Sequence, residues 1–296
     1  MKTLQKTLQG AAILAAVVVS AGAARADLTL QGAVGLPLNP TAQIPEQDGV
    51  RVQANYADLG DITPTNRKAR VYGLYAAGRV GENLEINGGI EKLDGPTDLF
   101  GPGDGNYNKT GFALGAKYLF TRESDPAKVR IAAGIGYSQA QVRNLYGYVV
   151  ATKYLGEFSG ERVPITAHLG LRYDRFDYKD IFDVGAQTSS KASIYGGVEV
   201  PVTRKGEFTL VGELQSKNLK SNIGSIKAPY EFSVRYRPQN QGFSASVGVA
   251  RRSVFGNKSG VFAQLGYSFS TGEGRDESEA QSRTAPGMTG VPSNVQ

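Results

Sequence analysis

Between about residue 48 and residue 270, every second side chain is apolar in one segment after another, and each segment closes on a Gly, Asp, Asn or Pro cluster. A period of two is that of a β-strand, whose successive side chains point to opposite faces. The clearest case is "VPITAHLGLRY": Val163, Ile165, Ala167, Leu169, Leu171 and Tyr173 share one face, and Thr166, His168, Gly170 and Arg172 the other. "APYEFSVRYRP" sets Tyr230, Phe232, Val234 and Tyr236 against Glu231, Ser233, Arg235 and Arg237. "GVFAQLGYSF" repeats the pattern with Val261, Ala263, Leu265, Tyr267 and Phe269.

Twelve such segments are expected, at about 48–58, 70–80, 83–93, 110–120, 129–140, 145–154, 163–175, 190–200, 206–216, 228–238, 242–252 and 258–270. An even number returns the chain to the side on which it began, as in bacterial outer-membrane barrels. The links alternate too. Compact ones such as "GE", "TRKGE" and "PQNQG" follow even-numbered segments, and longer ones such as "DGPTDLFGPGDGNYNK" and "DRFDYKDIFDVGAQTSS" follow odd-numbered ones. Short periplasmic turns and long outer loops give this asymmetry. The link 141–144 and the link 155–162 depart from it.

A soluble β-sandwich or lipocalin-like barrel would point the apolar faces into a dry core, burying much Gly and Ala. Inverting the faces suits the residues better. Apolar side chains then meet lipid, and Arg172, Glu199, Glu213, Glu231, Arg235 and Arg237 line a lumen where charges can pair or meet water. Closure satisfies every backbone group that lipid could not. The expected fold is all-β: a single antiparallel transmembrane β-barrel of about twelve strands. Trp is absent, so the 15 Tyr and 12 Phe must supply the interfacial girdles.

The first residues fit export. Lys2 and Lys6 precede the apolar run Ala11 to Val19, and Ala24-Arg25-Ala26 ends on small residues, so 1–26 reads as a secretory signal peptide. The run is too short for a spanning helix, which needs about 20 residues. Removing Lys2, Lys6 and Arg25 takes the basic count from 33 to 30 against 27 acids. A net charge near +3, without a Lys/Arg block, argues against nucleic acid as a partner. With no Cys, disulfides and thiolate metal sites are excluded, and one His excludes zinc sites that need two or three imidazoles. No cofactor is expected. The partners expected are outer-membrane lipid and, in an export role, polysaccharide or periplasmic export components. After Ser270 the alternation stops, and 271–296 reads as a disordered periplasmic tail or, alternatively, a partner-binding one.

Residues 27–47 fit neither leader nor strand. "GAVGLPLNPTA" (Gly32 to Ala42), followed by "DGVRVQANY" (Asp48 to Tyr56), resembles the start of the YjbH-like family of outer-membrane proteins, which are linked to exopolysaccharide production. Gly32, Gly35, Leu36, Pro40, Thr41 and Ala42 fall in that family's spacing, whereas Val34 stands where a threonine is expected. "YVVATKYL", "GGVEVPVTRKGEFTLVGELQ" and "FSVRYRP" are similar to later hairpins of the family. The resemblance implies an outer-membrane location and a part in exporting or organising surface polysaccharide.

Physically, the glycines permit positive φ or close backbone approach, and Pro37 and Pro40 forbid a regular ladder. Two readings of the segment follow: a plug or cap that enters the lumen from the periplasmic side, or an extra strand and turn that staples the barrel base.

Catalytic chemistry is sparse. His168, on the inward phase, has Gly170 where a barrel lipid hydrolase would carry a serine, and the nearest acid on its own strand face, Asp174, is about 20 Å away at strand rise. A lumen hydrogen-bonding role is expected instead. The chain is read as non-enzymatic, with a small passive porin or structural protein as alternative and a lipid hydrolase as a third reading. "GDGNYN" offers Asp104, Asn106 and Asn108 at calcium-loop spacing, but Lys109 replaces the turn glycine, so a polar loop is expected there. Glu199, Arg235 and Arg237 are expected toward the periplasmic half, Glu213 and Glu231 near the middle, and Arg172, Asp174 and Arg252 toward the outside. Their mixed signs suggest internal ion pairs instead of a single-sign selectivity ring.

Overall fold

The computed structural model describes residues 27–45, 49–61, 68–96, 106–121, 129–139, 143–157, 164–177, 188–203, 206–216, 227–238, 242–251 and 259–270. The expected signal peptide 1–26, the tail 271–296 and Arg252 lie outside the described residues.

The alternating segments become β1 (Gly49–Asp61), β2 (Lys68–Val80), β3 (Leu84–Pro96), β4 (Asn106–Thr121), β5 (Val129–Ser138), β6 (Arg143–Glu157), β7 (Pro164–Asp177), β8 (Thr188–Pro201), β9 (Phe208–Gln215), β10 (Tyr230–Tyr236), β11 (Phe243–Arg251) and β12 (Gly260–Ser270). Each pairs antiparallel with its neighbours in sequence, and β1 closes the ring on β12. All twelve expected strands are present, in order, in one closed barrel.

Some boundaries move because pairing extends the ladder beyond the hydrophobic pattern. In β3 and β4 the register continues through Asp94↔Asn108 to Pro96↔Asn106. Asn106 and Asn108 therefore stand in a strand and not in the expected loop, while Asp104 lies outside the described residues.

The faces split as the alternation requires. Leu169 is 64% exposed and Ile135 65%, whereas Glu231 and Glu85 on the inward phase are fully buried. The outward charges gather at the strand ends. Asp58, Arg70 and Asp94 share one cross-strand row at the long-loop end of β1, β2 and β3, and Arg251 at the same end of β11 lies over the Tyr230 ring. Between the ends, the outer surface consists of exposed side chains such as Leu74, Ile90, Leu114, Val149, Leu171 and Ile194. Outward aromatics pair toward both ends, Tyr118 with Phe120, Phe208 with Tyr236 and Tyr267 with Phe269 at the short-turn end, and Tyr56 with Tyr72, Phe112 with Tyr137 and Tyr230 with Phe232 toward the long-loop end.

Not every Tyr is a girdle residue, which corrects the expectation from composition. Tyr75, Tyr146, Tyr148 and Tyr195 are buried on the inward phase. Each stands directly across from a glycine, in the pairs Gly89↔Tyr75, Gly136↔Tyr146, Gly134↔Tyr148 and Gly170↔Tyr195. A Cβ on Gly170 would come within 2.3 Å of the Tyr195 ring. The ring thus fills the slot that the missing side chain leaves on the neighbouring strand, giving close packing along the wall without a second sheet. The inward face is accordingly mixed, with apolar patches between its polar groups.

Candidate lumen site

Those patches are covered by Asp27–Pro45, which folds back on itself inside the barrel. Two isolated bridges, Leu28↔Val34 and Gly35↔Pro40, hold it. They are reinforced by Leu30 N–H donating to Pro37 O (2.7 Å), Gly35 N–H to Asp27 O (2.8 Å) and Thr41 N–H to Val34 O (3.2 Å). The motif glycines do different work. Gly32 has φ +98°, a conformation that favours glycine, and lies against the Tyr75 ring. A Cβ on Gly35 would meet backbone atoms of Asn39, Pro40 and Thr41 at 2.5–2.8 Å. Leu36, Thr41 and Ala42 are fully buried. Leu36 fits over Gly197, and Ala42 joins Leu119, Ala132, Tyr146, Tyr148, Val150 and Tyr195. Leu28 and Val34 pack on Tyr75, Ala77 and Ala113, and Leu30 on Ala57, Ala250 and Phe262.

An irregular segment surrounded by a barrel wall must find partners for its peptide groups. Here wall side chains provide them. Leu28 N–H donates to Gln53 Oε1 (3.1 Å), while Gln53 Nε2 and Gln264 Nε2 donate to Leu28 O (2.9 and 3.1 Å). Val34 N–H donates to Glu85 Oε1 (3.0 Å), and Lys117 Nζ donates to Val34 O (2.9 Å). Leu38 N–H donates to Glu213 Oε2 (3.0 Å), Ala42 N–H to Thr152 Oγ1 (3.0 Å), and Tyr195 Oη to Pro40 O (2.9 Å).

The charges form separate groups. At the short-turn end, Asp27 meets three guanidinium groups. Its Oδ1 accepts from Ser244 Oγ (2.8 Å) and pairs with Arg51; its Oδ2 accepts from Arg237 Nη2 and Nε (2.6 and 3.1 Å) and pairs with Arg235. Burial alone would raise the Asp27 carboxyl, but Arg237, Arg51 and Arg235 outweigh it and hold the group well below the usual carboxylate range. Arg235 Nη1 also donates to Glu199 Oε2 at 3.0 Å. Further along the wall, Lys117 and Glu85 pair at 2.6 Å.

Arg172 pairs with Asp174 at 2.9 Å and lies 4.1 Å over the Tyr146 ring. It also donates to Asn39 Oδ1 (3.3 Å) and Gln31 Oε1 (3.2 Å) of the inserted segment. Glu213 accepts from Asn39 Nδ2 at 2.6 Å as well as from Leu38. Glu231 stands directly opposite Glu213 in the β9/β10 ladder, so two buried carboxyl groups face each other there.

His168 bonds Thr152 Oγ1 through Nδ1 (2.9 Å), and its Nε2 is 3.4 Å from Glu199 Oε1. The nearby acid therefore comes from the adjacent strand β8, which sequence spacing along β7 did not reveal. This Thr-His-Glu arrangement faces the lumen, and the Thr152 hydroxyl is engaged by Ala42 N–H.

The structure thus places His168, Arg172, Asp174, Glu199, Glu213, Glu231 and Arg235 on the buried inward face, with Arg237 at its edge. Asp27, Arg51, Glu85, Lys117 and Gln53 were missed. Strand phase would have found Arg51 and Gln53, which alternate with Val50, Val52 and Ala54. Nothing in the local sequence marks Asp27, whose partners lie at both ends of the chain.

No protein-family model matches this chain, and no curated protein does. Among solved structures it is similar to the NanC porin, with TM-score 0.47 and 11% identity, covering 74% of this chain and 98% of that one. It is similar also to the translocator domain of autotransporter NalP from Neisseria meningitidis, with TM-score 0.41 and 10% identity over 75% of this chain and 87% of that one. The outer membrane protein opdK from Pseudomonas aeruginosa gives TM-score 0.27 and 12% identity over 75% of this chain and 97% of that one. These likenesses carry no argument about function.

Proposed function

We propose that this chain is a non-enzymatic outer-membrane β-barrel protein whose lumen is closed at rest by its own segment Asp27–Pro45. The observation that carries the reading is the way the wall binds that segment. Gln53, Glu85, Lys117, Thr152, Tyr195 and Glu213, from six different strands, turn their side chains to its peptide groups. A segment that merely stapled the barrel base would need partners from one or two neighbouring strands.

Support for the membrane comes from the exposed apolar belt and the confinement of outward charges to the strand ends. A role in exporting or organising surface polysaccharide is the biological part of the proposal, and it rests on the resemblance of Gly32, Gly35, Leu36, Pro40, Thr41 and Ala42 to the YjbH-like motif.

The decisive experiment is single-channel recording in planar bilayers, comparing the full chain with a variant lacking residues 28–44. The expected result is a small or absent conductance that rises on deletion; unchanged conductance sinks the closure. Migration on unboiled gels checks that both are folded barrels. For the glycan role, a deletion strain should lose extracellular polysaccharide, and a normal amount in that strain would remove this part of the reading.

A further inference from the structure

We propose that Arg51, Arg235 and Arg237 form a binding site for a carboxylate-bearing, hydroxylated solute of the acidic-sugar class, occupied at rest by the chain's own Asp27, and that such a solute opens the lumen by taking the place of Asp27. The inference rests on the reading of Asp27–Pro45 as a lumen closure.

The three guanidinium groups approach both carboxylate oxygens of Asp27, with Ser244 as a neutral donor. Planar forks converging on both oxygens of one carboxylate are the geometry by which arginine recognises that group. Without Asp27, three guanidinium groups would be left with one bonded carboxylate. Glu199 is the only other carboxylate among the described residues that bonds this cluster, through Arg235. Withdrawing Asp27 would leave buried positive charge uncompensated, a costly state that an incoming anion relieves.

Asp27 also leaves donors unused. Arg51 Nε and Arg235 Nη2 are buried and have no hydrogen-bond partner. A carboxylate with neighbouring hydroxyl oxygens has acceptors for them, which an aspartate side chain lacks. Of the three arginines, Arg237 forms the exposed edge of the site, with Arg51 and Arg235 buried behind it. Arg237 follows β10 at the short-turn mouth with its side chain 22% exposed, Arg51 is close to the start of β1, and Ser244 close to the start of β11. Finally, because the arginines hold Asp27 ionised, an anion competes with it like for like.

The test uses the full-length protein in planar bilayers at constant ionic strength, with sodium glucuronate, inorganic phosphate or glucose added on each side in turn. Glucuronate at the short-turn side should raise open probability at least about tenfold, the change expected for losing one charged contact. Glucose should do nothing, and phosphate much less than glucuronate. Asp27→Asn should open the lumen without any solute and show no further opening with glucuronate.

If Asp27→Asn opens the lumen but glucuronate leaves the full chain closed, the solute site is wrong and the closure stands. If neither Asp27→Asn nor deletion of 28–44 changes conductance, the closure itself is wrong. Phosphate acting as strongly as glucuronate would overturn the assignment to carboxylates. A direct measurement covers poor gating behaviour: equilibrium dialysis of labelled glucuronate against detergent-solubilised Asp27→Asn protein should show binding, weakened about tenfold or more by adding Arg237→Gln. Absence of binding by a protein that still migrates as a folded barrel overturns the proposal.

Discussion

Asp27 is ionised where few carboxylates could be, inside a protein wall, because three arginines surround it. A carboxyl whose folded-state pKa is depressed contributes stability that is present above its ordinary value, 3.8, and is lost as pH falls below it. The difference in unfolding free energy between the full chain and Asp27→Asn should therefore stay near about 3 to 5 kcal/mol from pH 8 to pH 5, the usual cost of orphaning a buried ion pair, and shrink below about pH 4. Urea titrations of the two proteins at matched pH would show this; a difference that vanished already at pH 5 would mean that the clamp is weak. Glu231 is the opposite case, a buried carboxyl directly across the ladder from the carboxyl of Glu213. Glu231→Gln supplies an amide that can donate across the ladder to Glu213, so it should stabilise the barrel at pH 8 by about 1 kcal/mol. Both effects come from residues of alternating polar phase or, for Asp27, from beside the expected leader. Phase identifies a lumen charge, but only the closed ring reveals its partner.

At the level of the element, twelve strands were legible because a closed wall with an apolar outer face and a largely polar inner face enforces the alternation everywhere. The inserted segment could be recognised as anomalous but not placed. Its Gly and Pro residues exclude a regular ladder, and that alone fits both a staple and a plug. What distinguishes them is which wall side chains meet its peptide groups, and those side chains are scattered from Gln53 to Gln264. The inward Tyr residues were hidden for a similar reason. A Tyr on the inward phase makes sense only beside the glycine across the ladder, as Tyr195 does beside Gly170. The two kinds of glycine also predict different sensitivities. A Cβ at Gly170 meets first the side chain of Tyr195, whereas at Gly35 it meets the backbone of Asn39, Pro40 and Thr41. Gly35→Ala should therefore destabilise the folded segment by about 1 to 3 kcal/mol and raise the proteolysis of residues 27–45 in intact barrels. Proteolysis unchanged from the parent would show that the tight return at Gly35 does not hold the segment in place.

At the scale of the molecule, the two faces of one wall differ in chemistry, an apolar belt outside and buried polar groups inside, and the proposed membrane setting makes the cost of a substitution depend on the face it enters. Leu171 lies outward, paired with Val149 and Ile194, both of them exposed and apolar, so its side chain belongs to the middle of the belt. Arg175 occupies the same face four residues on, near the long-loop end of β7. If the belt meets hydrocarbon, a charge costs about 2 to 4 kcal/mol at mid-depth and about 0 to 1 kcal/mol near the interface. Leu171→Arg should thus lower the unfolding free energy in lipid vesicles by the larger amount, while Tyr173→Arg, two residues nearer the end, should cost less. In detergent micelles, whose surfaces adapt to a charge, the contrast should narrow. Reversible urea unfolding in both media measures it. Equal costs at the two positions in vesicles would mean that the belt does not meet hydrocarbon, and the lumen closure would then have to be reconsidered for a barrel in water.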